Sequence, residues 1–297
     1  MGSPRNERTM LNNFFKLNEP YSVFESYEEL TNHFSHADDL KNVLYKPDLL
    51  PPVGGVGFRD KRFVNVSFSK KKIQRATFTR CKFVDCLFIG TTFEDCEFHD
   101  CTFENCNPYK CAFVRTYIDP AAFRNMLNRH QHSNIGVNLF SRLRLNCAEM
   151  HQRDFEASAD FEFRKWKRYQ LVYDYRQKHV SGATFARRWV PDFAFYVFAG
   201  YGYRGMFFGG WTILLLVLLV SLNHFFAGDF AINVAQSPDA SNSYIYSFYH
   251  TVATFTTLGS NAVALTLRAV CLLAIEACLG VVWLSVLTSI VVKRVVR

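Results

Sequence analysis

Several features are missing from these 297 residues, and each absence narrows the reading. Residues 1–50 hold no compact apolar core, so nothing there reads as a secretory signal, and the large N-terminal part is expected in the cytosol. The nine cysteines include no C-x2-C pair, which argues against a zinc module. No Ser/His/Asp order, metal-ligand cluster or phosphate-binding glycine loop emerges, and the nine histidines are scattered; an enzyme is not expected, nor a bound metal or cofactor. No apolar run carries a row of arginines, which argues against voltage gating. The net charge of +8 is modest and lies partly beside the apolar runs, so no nucleic-acid partner is expected.

What the chain does contain is a period of five, matching neither helix nor strand. Large apolar residues stand at Phe58, Phe63, Phe68, Ile73, Phe78 and every fifth position to Phe123, with Pro108 as the one break in fourteen registers. Two residues before most of them comes something small: Ala76, Cys81, Cys86, Thr91, Cys96, Cys101, Cys106, Cys111, Thr116 or Ala121. This pattern resembles the pentapeptide-repeat family, which implies a right-handed, four-sided β-helix with the large and the small residue both pointing inward. One large and one small inward group per side fill a narrow cylinder without voids. Four repeats per turn give about three and a half turns, spaced by roughly 4.8 Å.

Six of the nine cysteines occupy the small inward position. They are expected to be buried free thiols acting as small hydrophobes, with Cys81 under Cys101 and Cys86 under Cys106. Stacked in parallel in a reducing compartment, they are poor candidates for disulfides. Residues 59–82 are strongly basic and residues 85–104 acidic. Some members of that family mimic duplex DNA, but a split surface suits contact between subunits better, with solvated wall charge as the plainer alternative.

Toward the C-terminus lie two long apolar runs. Met206 to Phe226 carries no formal charge over 21 residues, and Ala269 to Val292 spans 24 with Glu276 as its one charge. Twenty-one residues reach roughly 31 Å as a helix, enough for the hydrocarbon core of a bilayer. Arg187, Arg188 and Arg204 precede the first run and Lys293, Arg294 and Arg297 follow the second, while residues 227–243 contain Asp229 and Asp239 but no Lys or Arg. The positive-inside rule then places both termini in the cytoplasm of a protein spanning the inner or plasma membrane.

Between the runs, Tyr244 to Phe255 is apolar and aromatic enough for a buried helix but too short to cross a bilayer; Thr256-Thr257-Leu258-Gly259-Ser260-Asn261 follows it. Here the chain resembles the two-transmembrane pore domain of the potassium-channel superfamily, whose subunits assemble as tetramers around a shared filter. Thr257 and Gly259 match that filter, Leu258 replaces a valine, and Ser260, Asn261 and Ala262 depart from the usual Tyr, Gly and Asp. The resemblance implies that Thr256 to Asn261 line a path for a monovalent cation, K+ or Na+, and both a potassium-selective and a non-selective pore fit the departures. Glu276 has two readings, a buried group holding the pore helix or a part in conduction; Gly280 is either a bending point for a gate or a close-packing glycine. Ser285, Thr288 and Ser289 either face the inner pore or bond to their own helix, and His250 is read as packing or a satisfied hydrogen bond, with proton sensing as the alternative.

The other segments follow from local signals. Ser26 can cap a helix starting at Tyr27, and Pro51 to Gly55 mark a boundary. Leu139, Leu143, Cys147 and Met150 share one helix face, and Phe155 to Tyr173 mark a second, aromatic helix. This pair, with Gly200-Tyr201-Gly202 before the first run, resembles the linker of certain microbial channel-like proteins with pentapeptide repeats. Trp189 to Phe198 suit a helix at the inner membrane surface.

The reading is thus a multidomain membrane protein: a soluble segment (1–57), a quadrilateral β-helix (58–123), a helical coupling region (124–205) and an all-α two-transmembrane pore domain with a re-entrant pore helix (206–297). The expected function is a homotetrameric cation channel in a lipid bilayer, gated by or through its cytosolic part, with an unknown ligand or protein, membrane tension or redox state as the open choices of signal. A membrane-anchored scaffold that binds a partner without conducting is the alternative.

Overall fold

The five-residue period becomes a stack of parallel turns. The computed structural model describes residues 14–51, 53–203, 205–232, 244–259 and 262–295; Arg204, Asp239, Ser260 and Asn261 lie outside them. Three sides of the stack are parallel sheets in which residues twenty apart pair: Phe58↔Phe78↔Phe98↔Ile118, Phe63↔Phe83↔Phe103 and Ile73↔Phe93↔Phe113. The fourth side is joined by single bridges, Ser67↔Leu87↔Asn107. Every fifth residue from Asp60 to Arg115, two after each large residue, is left-handed, with φ between 47° and 66°. Asp and Asn hold many of these corners, being the side chains that best tolerate the conformation.

Inside, the rings stack with centroids 4.8 Å apart for Phe78–Phe98 and 4.9 Å for Phe83–Phe103, and Phe123 closes the end 4.5 Å from Phe103. Burying each ring contributes about 1.5–3 kcal/mol. The small inward residues do more than fill space. Sγ of Cys81, Cys86, Cys96, Cys101 and Cys106 lies 3.3–3.5 Å from the carbonyl of the large residue one turn earlier, and the hydroxyls of Thr91 and Thr116 donate to the same place at 2.7 and 3.1 Å. Cys and Thr interchange here because each is small and carries one donor. The six cysteines of the stack and Cys147 beyond it are buried and unbridged; Cys271 and Cys278 are exposed. Burial pushes Cys96 up to about 11 and raises Cys106 and Cys111 as well, disfavouring the reactive thiolate. We expect at most two of the nine thiols to react with a water-soluble thiol reagent in the native chain, and all nine after denaturation. Rapid native titration of four or more would contradict the buried stack.

The stack begins before Phe58. Leu40 pairs with Phe63 and Leu50 with Ile73, 23 residues on where later turns use 20, because the turn after Leu50 is three residues longer. Leu40, Tyr45 and Leu50 are five apart and buried, so the same period runs through them in a displaced register. The helix α1 (Tyr27–His36) lies at this end, its Glu29 amide donating to the Ser26 hydroxyl at 3.3 Å. Two asparagine side chains imitate a missing peptide group. Asn65 exchanges two 2.9 Å bonds with the backbone of Asn18, and Asn146 accepts from the Thr116 amide (2.9 Å) while donating to its carbonyl (2.7 Å).

Asn146 belongs to a helical hairpin, α2 (Ser133–Glu149) and α3 (Arg153–Arg176). Leu139, Leu143 and Cys147 form the buried face of α2, whereas Met150, expected on that face, is the C-cap just past the helix end and only half-buried. Trp166 of α3 is 2% exposed and lies directly over Gly136. These elements belong to a first compact unit, Met1–Trp189; Val190–Arg297 form a second. Helix α4 (Gly182–Ala199) crosses that boundary.

In the second unit, Gly200, Tyr201 and Gly202 all have positive φ, a left-handed turn locked by the Tyr201 hydroxyl donating to Asp192 at 2.8 Å. Three helices follow: α5 (Gly205–Phe225), α6 (Tyr244–Phe255) and α7 (Leu267–Val295). Helices α5 and α7 are long and apolar enough to cross a membrane, and only 17% and 11% of their apolar windows are buried within the chain. A core helix of a soluble fold would be mostly buried.

Candidate functional site

The segment between α5 and α7 is tied at both ends. Phe230–Ile232, just after α5, pairs antiparallel with Ala262–Ala264, just before α7, and the Leu265 amide donates to the Asp229 carbonyl at 2.9 Å. Helix α6 and the loop after it therefore leave and return at the same place. At twelve residues α6 is about 18 Å long, short of a full span.

Its C-terminus is closed by its own loop. The Thr257 amide donates to Thr254 (3.0 Å), and the Leu258 and Gly259 amides both reach the Ala253 carbonyl (2.9 and 3.2 Å). Thr257 has φ +61° and Gly259 φ +79°. This is a helix stop with a left-handed residue just past the end, a place where glycine is usual and threonine rare. In a planar trans peptide the carbonyl points opposite to the following N–H. With the amides of 257, 258 and 259 aimed back at the helix, the carbonyls of Thr256, Thr257 and Leu258 point away from it. Thr257, Leu258 and Gly259 are exposed, Leu258 to 83%. The negative end of the helix is thus carried to three outward carbonyls. Ser260 and Asn261 lie outside the described residues.

Behind the loop, Gly280 on α7 meets the last residue of α6: a Cβ there would fall 1.9 Å from the Phe255 carbonyl oxygen. One turn earlier, Glu276 is 0% exposed and accepts from Asn223 of α5 at 2.6 Å, and Asn223 also donates to Thr251 of α6 at 2.8 Å. The polar side chains of Asn223 and Thr251 were not anticipated from the sequence; a lone Asn in an otherwise apolar run was the available signal. Ser285 and Thr288 are exposed on α7 and bond back to their own helix at 2.7 and 2.9 Å. His250 is buried, edge-on to Phe230 at 5.1 Å. No group of three or more His, Cys, Asp or Glu side chains that could hold a metal ion occurs among the described residues.

On the repeat stack, the basic and acidic stretches meet in two ion pairs, Lys82 with Glu104 (2.6 Å) and Lys72 with Glu94. Within the basic stretch Arg80 pairs with Asp60 (2.6 Å), and Arg115, beyond both stretches, pairs with Asp95 (2.6 Å). Arg80 holds the Asp60 carboxyl below its ordinary value, Arg115 does so for Asp95, and Lys72 followed by Arg115 for Glu94. The split seen along the sequence is partly neutralised because stacking sets residues about twenty apart side by side.

Residues 73–107 match the family described as pentapeptide repeats, in eight copies. The match falls inside the stacked turns, and the pentapeptide pairing described above continues on both sides of it. No curated protein matches the chain.

Proposed function

We propose that the protein is a cation channel of the inner or plasma membrane, in which four copies enclose a path lined by Thr256 to Asn261. The observation that carries this reading is the set of three consecutive carbonyls, Thr256 to Leu258, turned outward on an exposed loop between two apolar helices. Carbonyl oxygens in such a ring replace the water around K+ or Na+. A single chain leaves that face open; a homotetramer brings four copies to one axis. Both termini and the pentapeptide-repeat stack then lie in the cytosol, where a ligand or protein acts on the pore.

The test is cation flux by the full chain in liposomes, followed by planar-bilayer recording with K+ and Na+ on opposite sides. We expect flux that Gly259→Pro abolishes, since proline requires φ near −65° and removes the amide that reaches Ala253. A stable oligomer without flux would favour a membrane-anchored scaffold presenting the repeat surface to a partner.

A further inference from the structure

Three polar side chains, Asn223, Thr251 and Glu276, join α5, α6 and α7, and their hydrogen bonds do not close without one more proton. Asn223 is 2% exposed and Glu276 0%. The Thr251 hydroxyl donates to the Ser247 carbonyl at 2.7 Å, so toward Asn223 it can only accept. This fixes the amide nitrogen of Asn223 on that side. Its two hydrogens go to Thr251 Oγ1 at 2.8 Å and Glu276 Oε1 at 2.6 Å, and a carboxamide nitrogen has no third. Left over are Asn223 Oδ1 and Glu276 Oε2, two buried acceptors with no donor among the described residues. Such groups in a native fold call for an explanation.

We infer that Glu276 is a neutral carboxylic acid with its proton on Oε2, paired through two hydrogen bonds with the Asn223 carboxamide. An acid and a primary amide are complementary in this way: N–H donates to one oxygen and O–H to the other. One arm of the pair is closed at 2.6 Å. A proton on Oε2 closes the second and satisfies both remaining acceptors. An ionised Glu276 would instead bury a full charge with a single hydrogen bond beside another acceptor. The pair clamps α5 to α7, Thr251 adds α6, and one turn on Gly280 touches the residue from which Thr256–Gly259 departs.

Other titratable groups with described side chains on these helices are His224 beside Asn223, stacked on Tyr244 at 3.9 Å; Tyr246, Tyr249 and His250 of α6; and Arg268, Cys271 and Cys278 of α7, these three exposed. None of them supplies a donor to Oε2 or Oδ1.

This inference does not depend on conduction, so its failure is separate from that of the channel. Infrared difference spectra of the full chain in lipid nanodiscs, titrated from neutral to alkaline pH, read it directly. The expected result is a protonated-carboxyl stretch at neutral pH that is lost as pH rises and is absent from Glu276→Gln. Glutamine reproduces both arms, accepting through oxygen and donating through nitrogen. Glu276→Gln is therefore expected to keep the thermal stability of the wild type and to lose its alkaline sensitivity, whereas Glu276→Leu loses stability at every pH. A carboxylate signal from Glu276 at neutral pH would overturn the inference, as would a Glu276→Gln protein no more stable than Glu276→Leu.

Discussion

Gly280→Ala is expected to break the contact between α6 and α7 and to disassemble the loop that follows α6. The added Cβ falls 1.9 Å from the Phe255 carbonyl oxygen, 2.8 Å from its carbon and 3.1 Å from its Cα. All three are backbone atoms, so no side-chain rotation relieves the overlap. Overpacking in cores typically costs about 1–3 kcal/mol, and a collision with a helix terminus belongs at or above the upper end. Gly209 and Gly210 on α5 provide the control, since nothing lies within 4 Å of a Cβ at either. Alanine there removes a poor helix former and is expected to gain up to about 1 kcal/mol. Heating each variant in detergent and following aggregation or oligomer loss by size exclusion separates the cases. Equal midpoints for Gly280→Ala and Gly210→Ala would show that α7 does not approach Phe255 as described.

The second large effect lies in the first unit. Gly136→Ala drives a Cβ to 2.2, 2.3 and 2.7 Å from Cε3, Cδ2 and Cζ3 of Trp166. The indole has little room to retreat: it is 2% exposed, stacks near Phe140 at 6.3 Å and meets Tyr169 edge-on at 5.6 Å. We expect about 3 kcal/mol or more of destabilisation of the α2–α3 hairpin, by the same overpacking argument. Because Asn146 at the far end of α2 caps the stack at Thr116, the loss should reach the last turn, seen as faster hydrogen exchange at the Thr116 amide. A smaller residue at position 166 should rescue it: in a double-mutant cycle, Trp166→Leu with Gly136→Ala should be markedly more stable than the sum of the single changes. Strict additivity would mean that the two residues do not touch.

How far the sequence could be read depended on whether each signal was local. The Ser26 cap lies three residues from its partner, and the Leu139-Leu143-Cys147 face follows from one helical period; both are found where the spacing puts them. The first turn escaped notice because three extra residues after Leu50 shift Leu40, Tyr45 and Leu50 out of register with Phe58. In the candidate site, the run of Thr256 to Gly259 after a short apolar helix was visible, but its left-handed Thr257 was not. Nothing in a threonine announces φ +61°; the helix end, by aiming three amides at its own last carbonyls, imposes it.

The five-residue period, the burial of its thiols and the two apolar stretches follow from the order of residues alone, because side chains a fixed few positions apart must share a side whatever surrounds them. That Asp60 meets Arg80, that Asn146 finishes the stack and that Glu276 finds Asn223, 53 residues away, comes from long-range packing. Those partners are set by how turns and helices settle against one another, and in that packing the unsatisfied polar groups of distant segments are brought close enough to bond.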